Sequence, residues 1–454
     1  MKTINPSTPL GVKAERSRTI KFYTLGCKVN QYETQSIREQ FIRSDFQEIE
    51  DGVPADIYLI NTCTVTQKAD RDSRRLIHLT HRQNPQAKIL VTGCYTELDS
   101  AEIAKIPGVT RIIKNQDKGR ILDLLTDSNE TTSQRLPAGQ AGVNEDIGIS
   151  NFSGHTRAFL KIQDGCNNFC AYCKVPLVRG ASRSRPLSSI VQEAEKLVKN
   201  DFKEIVLCGI CLGAYGRDLS PQSDLIQVIE ALQNIKGLYR IRLSSIEAGD
   251  VSDSLIRKIA ESNLACRQTG KLCRHLHIPI QSGDDEILKK MHRRYGRLDY
   301  INLIAKIKKQ IPQIAITTDV LVGFPGEKEE NFQNTIDLVR EIIPLRVHAF
   351  SYSSRKGTPA SHFEDKIEPK VIKQRLSLLK NMGQNCSLVY KKQFLNQEMQ
   401  VLIETRAKEK PEFWEGYTDN YIKVGVASEK NLENQLIKVK LKEIGQDYFW
   451  ADFC

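Results

Sequence analysis

Three cysteines fall within eight residues in Asp164-Gly-Cys166-Asn-Asn-Phe-Cys170-Ala-Tyr-Cys173, the spacing C-x3-C-x2-C. A structural zinc site closes on four ligands, commonly two C-x2-C pairs, whereas three clustered thiolates can hold a 4Fe-4S cube and leave one iron without a protein ligand. An open iron is a place for a substrate or cofactor to bind. Tyr172, just before the last cysteine, offers a ring for packing on a flat group or within the loop. Three more cysteines each end an apolar run: Tyr23-Thr-Leu-Gly-Cys27, Leu59-Ile-Asn-Thr-Cys63 and Leu90-Val-Thr-Gly-Cys94. The chain has 12 cysteines. Met1 to Arg18 contains no apolar core of the signal-peptide kind, so a cytosolic setting is expected, where thiols stay reduced and metal or redox chemistry explains them better than disulfides. Cys208 and Cys211 form a C-x2-C that Cys266 and Cys273 would complete as an alternative zinc set, although Cys208 closes an apolar strand and fits a core position.

These side chains need elements to converge them. Strands are expected over Ile20–Leu25, Asp56–Asn61 and Ala87–Thr92, with helices over Gln31–Arg43 and Gln67–Gln83, giving a small α/β domain with a parallel sheet. Open parallel sheets place their sites at the carboxyl ends of strands. Cys27, Cys63 and Cys94, spaced 36 and 31 residues apart, would therefore meet at one edge as a shared metal site. Residues 127–155 are polar, aperiodic and rich in Gly, Ser and Thr, which reads as a linker. Strands are then expected over Ala158–Ile162, Glu204–Leu207, Tyr239–Leu243, His275–Ile278, Ala315–Val320 and Leu345–Phe350, alternating with helices over Leu187–Lys199, Asp284–Met291, Asp299–Lys309 and Glu329–Ile342. Six βα units fit a full or partial barrel. A helix is expected from Pro369 to about Lys392. Period-two runs over Glu398–Thr405, Tyr421–Ala427, Gln435–Ile444 and Asp447–Phe453 suggest a small antiparallel β-barrel. The expected organisation is residues 18–126, a linker over 127–155, a central domain over 156–385 and a C-terminal domain over 386–454.

The formal net charge is +11, which favours an anionic partner. The excess sits mainly in the middle of the chain: residues 1–126 carry +4 and residues 385–454 carry −1. Arg179-Gly-Ala-Ser-Arg183-Ser-Arg185 and Lys289-Lys-Met-His-Arg-Arg294 are candidate phosphate contacts. Phe413, Trp414, Tyr417 and Tyr421 are candidates for stacking on exposed bases. No run of about 18 apolar residues is present, so no membrane partner is expected.

Cys166, Cys170 and Cys173 match the signature of the radical S-adenosylmethionine (SAM) enzymes. The segments Tyr23–Glu33, Asn61–Thr66, Val91–Cys94, Leu276–Gly283, Thr317–Glu327 and Tyr352–Thr358 extend the resemblance over nearly the whole chain, to the methylthiotransferases of that superfamily. Gly26-Cys-Lys-Val-Asn30 and Gly416-Tyr-Thr-Asp-Asn-Tyr-Ile-Lys-Val424 are most similar to the branch acting on threonylcarbamoyladenosine in tRNA. The resemblance implies an N-terminal α/β domain, a partial (βα)6 radical SAM barrel and a TRAM-like C-terminal barrel that binds RNA. It implies two 4Fe-4S clusters, an auxiliary one on Cys27, Cys63 and Cys94 and one on Cys166, Cys170 and Cys173 that binds S-adenosylmethionine. A 5′-deoxyadenosyl radical would activate carbon 2 of the modified adenine at position 37, next to the anticodon, where a methylthio group is inserted. A one-electron donor of flavodoxin or ferredoxin type is implied. An aromatic C–H offers polar catalysis neither an acidic proton nor a leaving group, so the cofactor carries the chemistry and no catalytic side chain beyond the cluster ligands is expected.

Cofactor contacts follow from positions after strands. Gly209 would let backbone approach the methionine part, Glu247 would accept from a ribose hydroxyl, and Gln281 and Asp319 stand at or after the next two strands. Cys211 stands where the threonylcarbamoyladenosine branch carries His. Rival readings are the same chemistry on isopentenyladenosine or on a ribosomal-protein aspartate, and a non-catalytic metal-containing RNA-binding protein.

Overall fold

All six side chains of Ile57-Tyr-Leu-Ile-Asn-Thr62 are buried, as a central parallel strand covered on both faces requires. Each aliphatic side chain hidden this way contributes about 1.5–3 kcal/mol. The computed structural model describes residues 18–126, 148–264, 271–408, 410–445 and 448–454. Its first sheet is parallel, with β1 (Thr19–Thr24), β2 (Gln47–Glu48), β3 (Ile57–Thr62), β4 (Lys88–Gly93) and β5 (Val109–Ile112) in the order β2-β1-β3-β4-β5. The three expected strands are its centre. β2 and β5 escaped the sequence reading because they are short, incompletely buried edges.

The six expected barrel strands are present as β6 (Arg157–Lys161), β9 (Glu204–Cys208), β10 (Arg240–Leu243), β11 (His275–His277), β12 (Ala315–Val322) and β13 (Arg346–Ser351), while β7 (Gln163–Asp164) and β8 (Arg183–Ser184) form a short ribbon. The parallel triplets β6-β9-β10 and β11-β12-β13 are joined by bridges Ile241–Leu272 and Ser245–His277, so six strands run in chain order. Helices Leu187–Lys199, Leu225–Gln233, Asp253–Leu264, Arg297–Gln310 and Glu329–Ile342 follow strands in turn. Leu160, Leu207, Ile241, Leu276, Ile316 and Val320 all belong to the barrel's large apolar core. By the period-two alternation of strands, His275, His277, Thr317 and Asp319 occupy the opposite, lumenal face.

The linker expectation needs correction at its end. Residues 127–147 lie outside the described residues, but Ile149 and Phe152 are 1% and 3% exposed and belong to the barrel core. Ser150 and Asn151 donate backbone N–H groups to Glu39, and Ile149 donates to Glu193.

Helix Pro369–Lys392 enters both remaining cores: Leu379 and Cys386 pack with the barrel, whereas Tyr390 packs with the C-terminal domain. That domain is a closed barrel of β14 (Glu398–Arg406), β15 (Phe413–Thr418), β16 (Lys423–Ala427), β17 (Leu436–Ile444) and β18 (Phe449–Phe453). It holds one more strand than expected, and its β16–β18 pairing is parallel while the other pairings are antiparallel. Gly416 hides β15 in the sequence pattern. A Cβ there would lie 2.1 Å from the Leu402 carbonyl oxygen, so closing the barrel demands glycine in mid-strand.

Candidate functional site

The N-terminal triad forms at the carboxyl ends of β1, β3 and β4, as the sheet topology requires. Cys27 caps helix Lys28–Arg43, Cys63 follows β3, and Cys94 opens helix Cys94–Ala104. Two glycines at positive φ make the convergence possible. A Cβ on Gly26 (φ 108°) would press on Cys63 Cβ at 3.0 Å, and one on Gly93 (φ 100°) would strike the Thr62 carbonyl oxygen at 2.3 Å. Burial pushes the Cys63 thiol up to about 11, with Cys94 and Cys27 adding to the rise, and burial also raises Cys94.

Cys166, Cys170 and Cys173 lie on the loop between β7 and β8. Gly165 (φ 72°) permits its entry, since a Cβ there would fall 1.9 Å from the Ala181 carbonyl oxygen. Cys173 N–H donates to the Cys170 carbonyl at 2.9 Å and Ala171 N–H to the Met291 carbonyl at 3.0 Å, fixing the turn that carries the last two thiols. Burial pushes Cys173 up to about 12 and also raises Cys170. Cys166 moves the other way, to about 7, because the Cys211 thiol hydrogen-bonds it.

Cys63, Cys94, Cys170 and Cys173 sit where burial opposes ionisation, a penalty that a bound metal reverses by displacing the thiol proton. A single zinc ion, with sulfurs at about 2.3 Å, would draw its ligands to within about 4 Å of one another. Among the described residues, the one group of three ligand atoms within 4.8 Å is His277, Asp319 and His348, and neither cysteine triad is that tight. Three thiols in each place are the donor set of a cluster that keeps one iron open. In the lumenal group, His277 Nε2 lies 3.2 Å from Asp319 Oδ1, a hydrogen bond that accounts for their closeness without an ion.

A buried charge network joins the two triads. Arg179 Nε donates to Cys94 Sγ at 3.2 Å, and Nη1 donates to Glu33 and, at 3.2 Å, to Asp164, two residues before Cys166. Arg179 Nη2 donates to Asn30 Oδ1 at 2.5 Å, and Cys27 Sγ donates to the same oxygen at 3.8 Å. Burial would raise the Glu33 carboxyl, but Arg179, Lys118 and Lys161 reverse that and hold it far below the usual carboxylate range. Arg355 donates to Thr64 at 2.9 Å and to Asp70 at 2.5 Å, tying the loop after β13 to the residue following Cys63.

The expected cofactor contacts fall into three places. Tyr172 and Glu247 lie with the second triad: Tyr172 packs edge-on to Phe324 at 6.5 Å between ring centroids, and Glu247 pairs with Arg293, which also donates to Cys170 Sγ at 3.3 Å. Gly209 lies against Gln163, which a Cβ would approach to 2.9 Å, and Gln163 Oε1 accepts from Cys211 N–H at 2.8 Å. Gln281 (φ 68°) bridges to Val320, while Asp319 is engaged by His277 farther down the wall.

Several nucleic-acid expectations are overturned. Arg179 and Arg185 are buried, Arg185 pairing with Glu193 at 2.6 Å, and Arg183 is the one well-exposed arginine of that segment. Arg293 is likewise withdrawn, with 3% of its side chain exposed. Trp414 is a core residue. Tyr417 and Tyr421 stack on each other at 4.9 Å and lie under Arg157, with Arg242 also over Tyr421 at 4.6 Å, so they seal the floor of the barrel rather than await bases. The alternative zinc set does not come together among the described residues. Cys211 sits beside Cys166, Cys208 is in the barrel core, Cys273 lies near Arg242, and Cys266 is outside the described residues. Asn30, Glu33, Arg179, Arg293 and Cys211 were missed as site residues, although Asn30 and Glu33 lie inside the first cysteine motif.

The family described as the Radical SAM superfamily matches residues 160–339, and the one described as Uncharacterized protein family UPF0004 matches residues 19–114. A Bacillus subtilis (strain 168) protein named threonylcarbamoyladenosine tRNA methylthiotransferase MtaB is 39% identical over 96% of this chain and 96% of its own. A Clostridium tetani protein named tRNA-2-methylthio-N(6)-dimethylallyladenosine synthase is 34% identical over 92% of each chain. The solved structure of the radical S-adenosylmethionine methyltransferase TsrM from Kitasatospora setae, with cobalamin and a 4Fe-4S cluster bound, superposes with a TM-score of 0.51 at 14% identity, covering 76% of this chain and 77% of that one. That last likeness speaks for the fold.

Proposed function

The chain belongs to the methylthiotransferases of the radical SAM superfamily, and from that premise we propose that it adds a methylthio group to carbon 2 of threonylcarbamoyladenosine at position 37 of tRNA. The observation that carries the reading is the pair of three-cysteine sites brought to one region of the barrel by the Arg179 network, each one ligand short of a closed cluster. The higher identity to the threonylcarbamoyladenosine enzyme, 39% against 34% for the dimethylallyladenosine synthase, favours this substrate. Isopentenyladenosine is the second reading, because that relative also spans most of the chain.

Cys27, Cys63 and Cys94 would hold the auxiliary cluster, and Cys166, Cys170 and Cys173 the cluster that binds S-adenosylmethionine. When bound, these groups supply one-electron chemistry and the sulfur and methyl to be transferred. The chain's own residues position and enclose. Tyr172 and Glu247 lie beside the second triad, where an aromatic face and a carboxylate can hold a nucleoside. Gly209, Gln281 and Asp319 belong to neighbouring strand ends of the same wall. Arg240 donates to the Tyr417 and Gln400 carbonyls, and Arg242 to those of Thr418 and Asp419, so the C-terminal barrel closes the far end against water.

The substrate partner is tRNA, and a one-electron donor of flavodoxin or ferredoxin type completes the set. No helix among the described residues is long and apolar enough to cross a membrane. A tRNA substrate accords with a cytoplasmic site of action. The decisive experiment is nucleoside mass spectrometry after anaerobic reaction of the reconstituted protein with S-adenosylmethionine, reductant and two tRNAs, one carrying threonylcarbamoyladenosine and one isopentenyladenosine. A methylthio mass shift on the first alone is the expected result. A shift on the second alone would keep the chemistry and overturn the substrate.

A further inference from the structure

Two arginines from segments that read as RNA contacts are instead buried against the cysteine triads. Arg179, with 1% of its side chain exposed, donates from Nε to Cys94 Sγ at 3.2 Å and is held from behind by Glu33 and Asp164. Arg293, with 3% exposed, donates from Nη1 to Cys170 Sγ at 3.3 Å and is held by Glu247 at 2.5 Å and Tyr295 Oη at 3.0 Å. The same construction thus arises twice on unrelated segments: one thiol of three, one desolvated guanidinium, and at least one carboxylate that fixes its orientation. A guanidinium stays charged at every working pH. Water does not screen it at these positions, so it acts on its neighbour far more strongly than a surface pair would.

We propose that Arg179 and Arg293 are positioning residues that set how readily the cluster on each triad accepts an electron, each by donating a charge-assisted hydrogen bond to one ligating sulfur. The proposal rests on the reading that both triads hold clusters. Hydrogen bonds to ligating sulfurs, local charge and burial are the protein's means of setting cluster potentials. Reduction adds one electron from an external one-electron donor, with no bond made or broken and no proton moved. The added negative charge is favoured by a fixed cation at hydrogen-bond distance from a ligand. Removing that cation therefore lowers the potential.

The test is an anaerobic redox titration of the full-length protein, read by electron paramagnetic resonance, with one triad kept and the other's three cysteines replaced by alanine. In protein keeping Cys166, Cys170 and Cys173, Arg293→Gln should lower the ratio of reduced to oxidised cluster at a fixed potential at least tenfold, equivalent to 59 mV for one electron. Arg293→Lys, which keeps the charge, should stay within about threefold of the parent. Arg179→Gln and Arg179→Lys should behave alike in protein keeping Cys27, Cys63 and Cys94. An unchanged potential in a fully iron-loaded Gln variant overturns the proposal. So does an equal fall in the Gln and Lys variants, which marks a structural role. If a Gln variant loads no iron, loading restored by Lys supports the proposal and failure of both overturns it. Failure of the parental proteins to bind about four irons per intact triad would overturn the cluster reading instead, a result separable from all of these.

Discussion

Removing one thiol disables one triad and leaves the other, so two single replacements separate two reactions. Cys166→Ala should abolish S-adenosylmethionine cleavage while iron stays on the N-terminal triad. Cys27→Ala should still cleave S-adenosylmethionine but transfer no sulfur, as read by 5′-deoxyadenosine and methylthio nucleoside in one chromatogram. Normal methylthio product from Cys27→Ala would show the auxiliary site to be misassigned. A second residue-scale effect concerns Glu327, whose carboxylate burial pushes up to about 7, although the Gly323 and Phe324 N–H groups and Arg375 favour its charged form. The unfolded chain loses this proton near the ordinary value of 4.5, whereas the folded chain keeps it until about 7. Folded protein therefore binds more protons across that window, and its stability falls as pH rises through it. Glu327→Gln removes the titration and should gain on the parent between pH 5 and pH 8, by about 3 kcal/mol at most. Thermal melts of the iron-free protein at both pH values check this, and a difference independent of pH would refute it.

Elements with a strong period were legible in the sequence. Helices Gln67–Gln83, Leu187–Lys199, Glu329–Ile342 and Pro369–Lys392 stand where their apolar periodicity puts them. The six cysteines were legible because their chemistry tolerates few substitutes and their strands set the register. Arg179, Arg185 and Arg293 were not, because a basic run looks alike in sequence whether water or a distant carboxylate receives it. Their partners Glu33, Glu193 and Glu247 come from other elements, and only the fold brings them together. The difference is measurable along the β8 segment. Arg185→Ala leaves Glu193 buried without its cation and should cost about 3 kcal/mol or more, whereas Arg183→Ala, at an exposed site, should cost under about 0.5 kcal/mol. The C-terminal barrel supplies a basic stripe that the sequence reading passed over. Lys438, Lys440 and Lys442 alternate along β17 on its exposed face, Lys442 pairing with Asp452 at 3.6 Å. If all three meet phosphates, replacing them with glutamine should reduce the slope of log affinity for tRNA against log salt by about 2 to 3. Filter binding at several salt concentrations measures that slope, and an unchanged value removes β17 from the interface.

At the scale of the whole molecule, the barrel is stoppered at both ends by other parts of the chain. The N-terminal sheet covers the cysteine end, while the C-terminal barrel closes the opposite end through Arg240, Arg242 and Arg274, the last pairing with Asp419 at 2.6 Å. Arg242 is the central member of that floor. It donates to Glu204 at 2.6 Å and to the carbonyls of Asp419 and Thr418 at 2.9 and 3.1 Å, and it covers the Tyr421 ring. Enclosure matters to radical chemistry because an enzyme must keep a reactive species from side reactions, and a dry, closed cavity is how it does so. Arg242→Met retains bulk but removes every one of those hydrogen bonds, leaving Glu204 to Arg157 and Arg240. The amides of β15 and of the Thr418–Asn420 turn should then exchange with deuterium at least tenfold faster, since about 1.4 kcal/mol lost from the docked state already gives that factor. Methylthio product formed per S-adenosylmethionine cleaved should fall in the same variant, although both cysteine triads are untouched. Faster exchange with unchanged coupling would mean that the C-terminal barrel is only a tRNA-binding appendage. Faster exchange together with lower coupling would make it part of the reaction chamber.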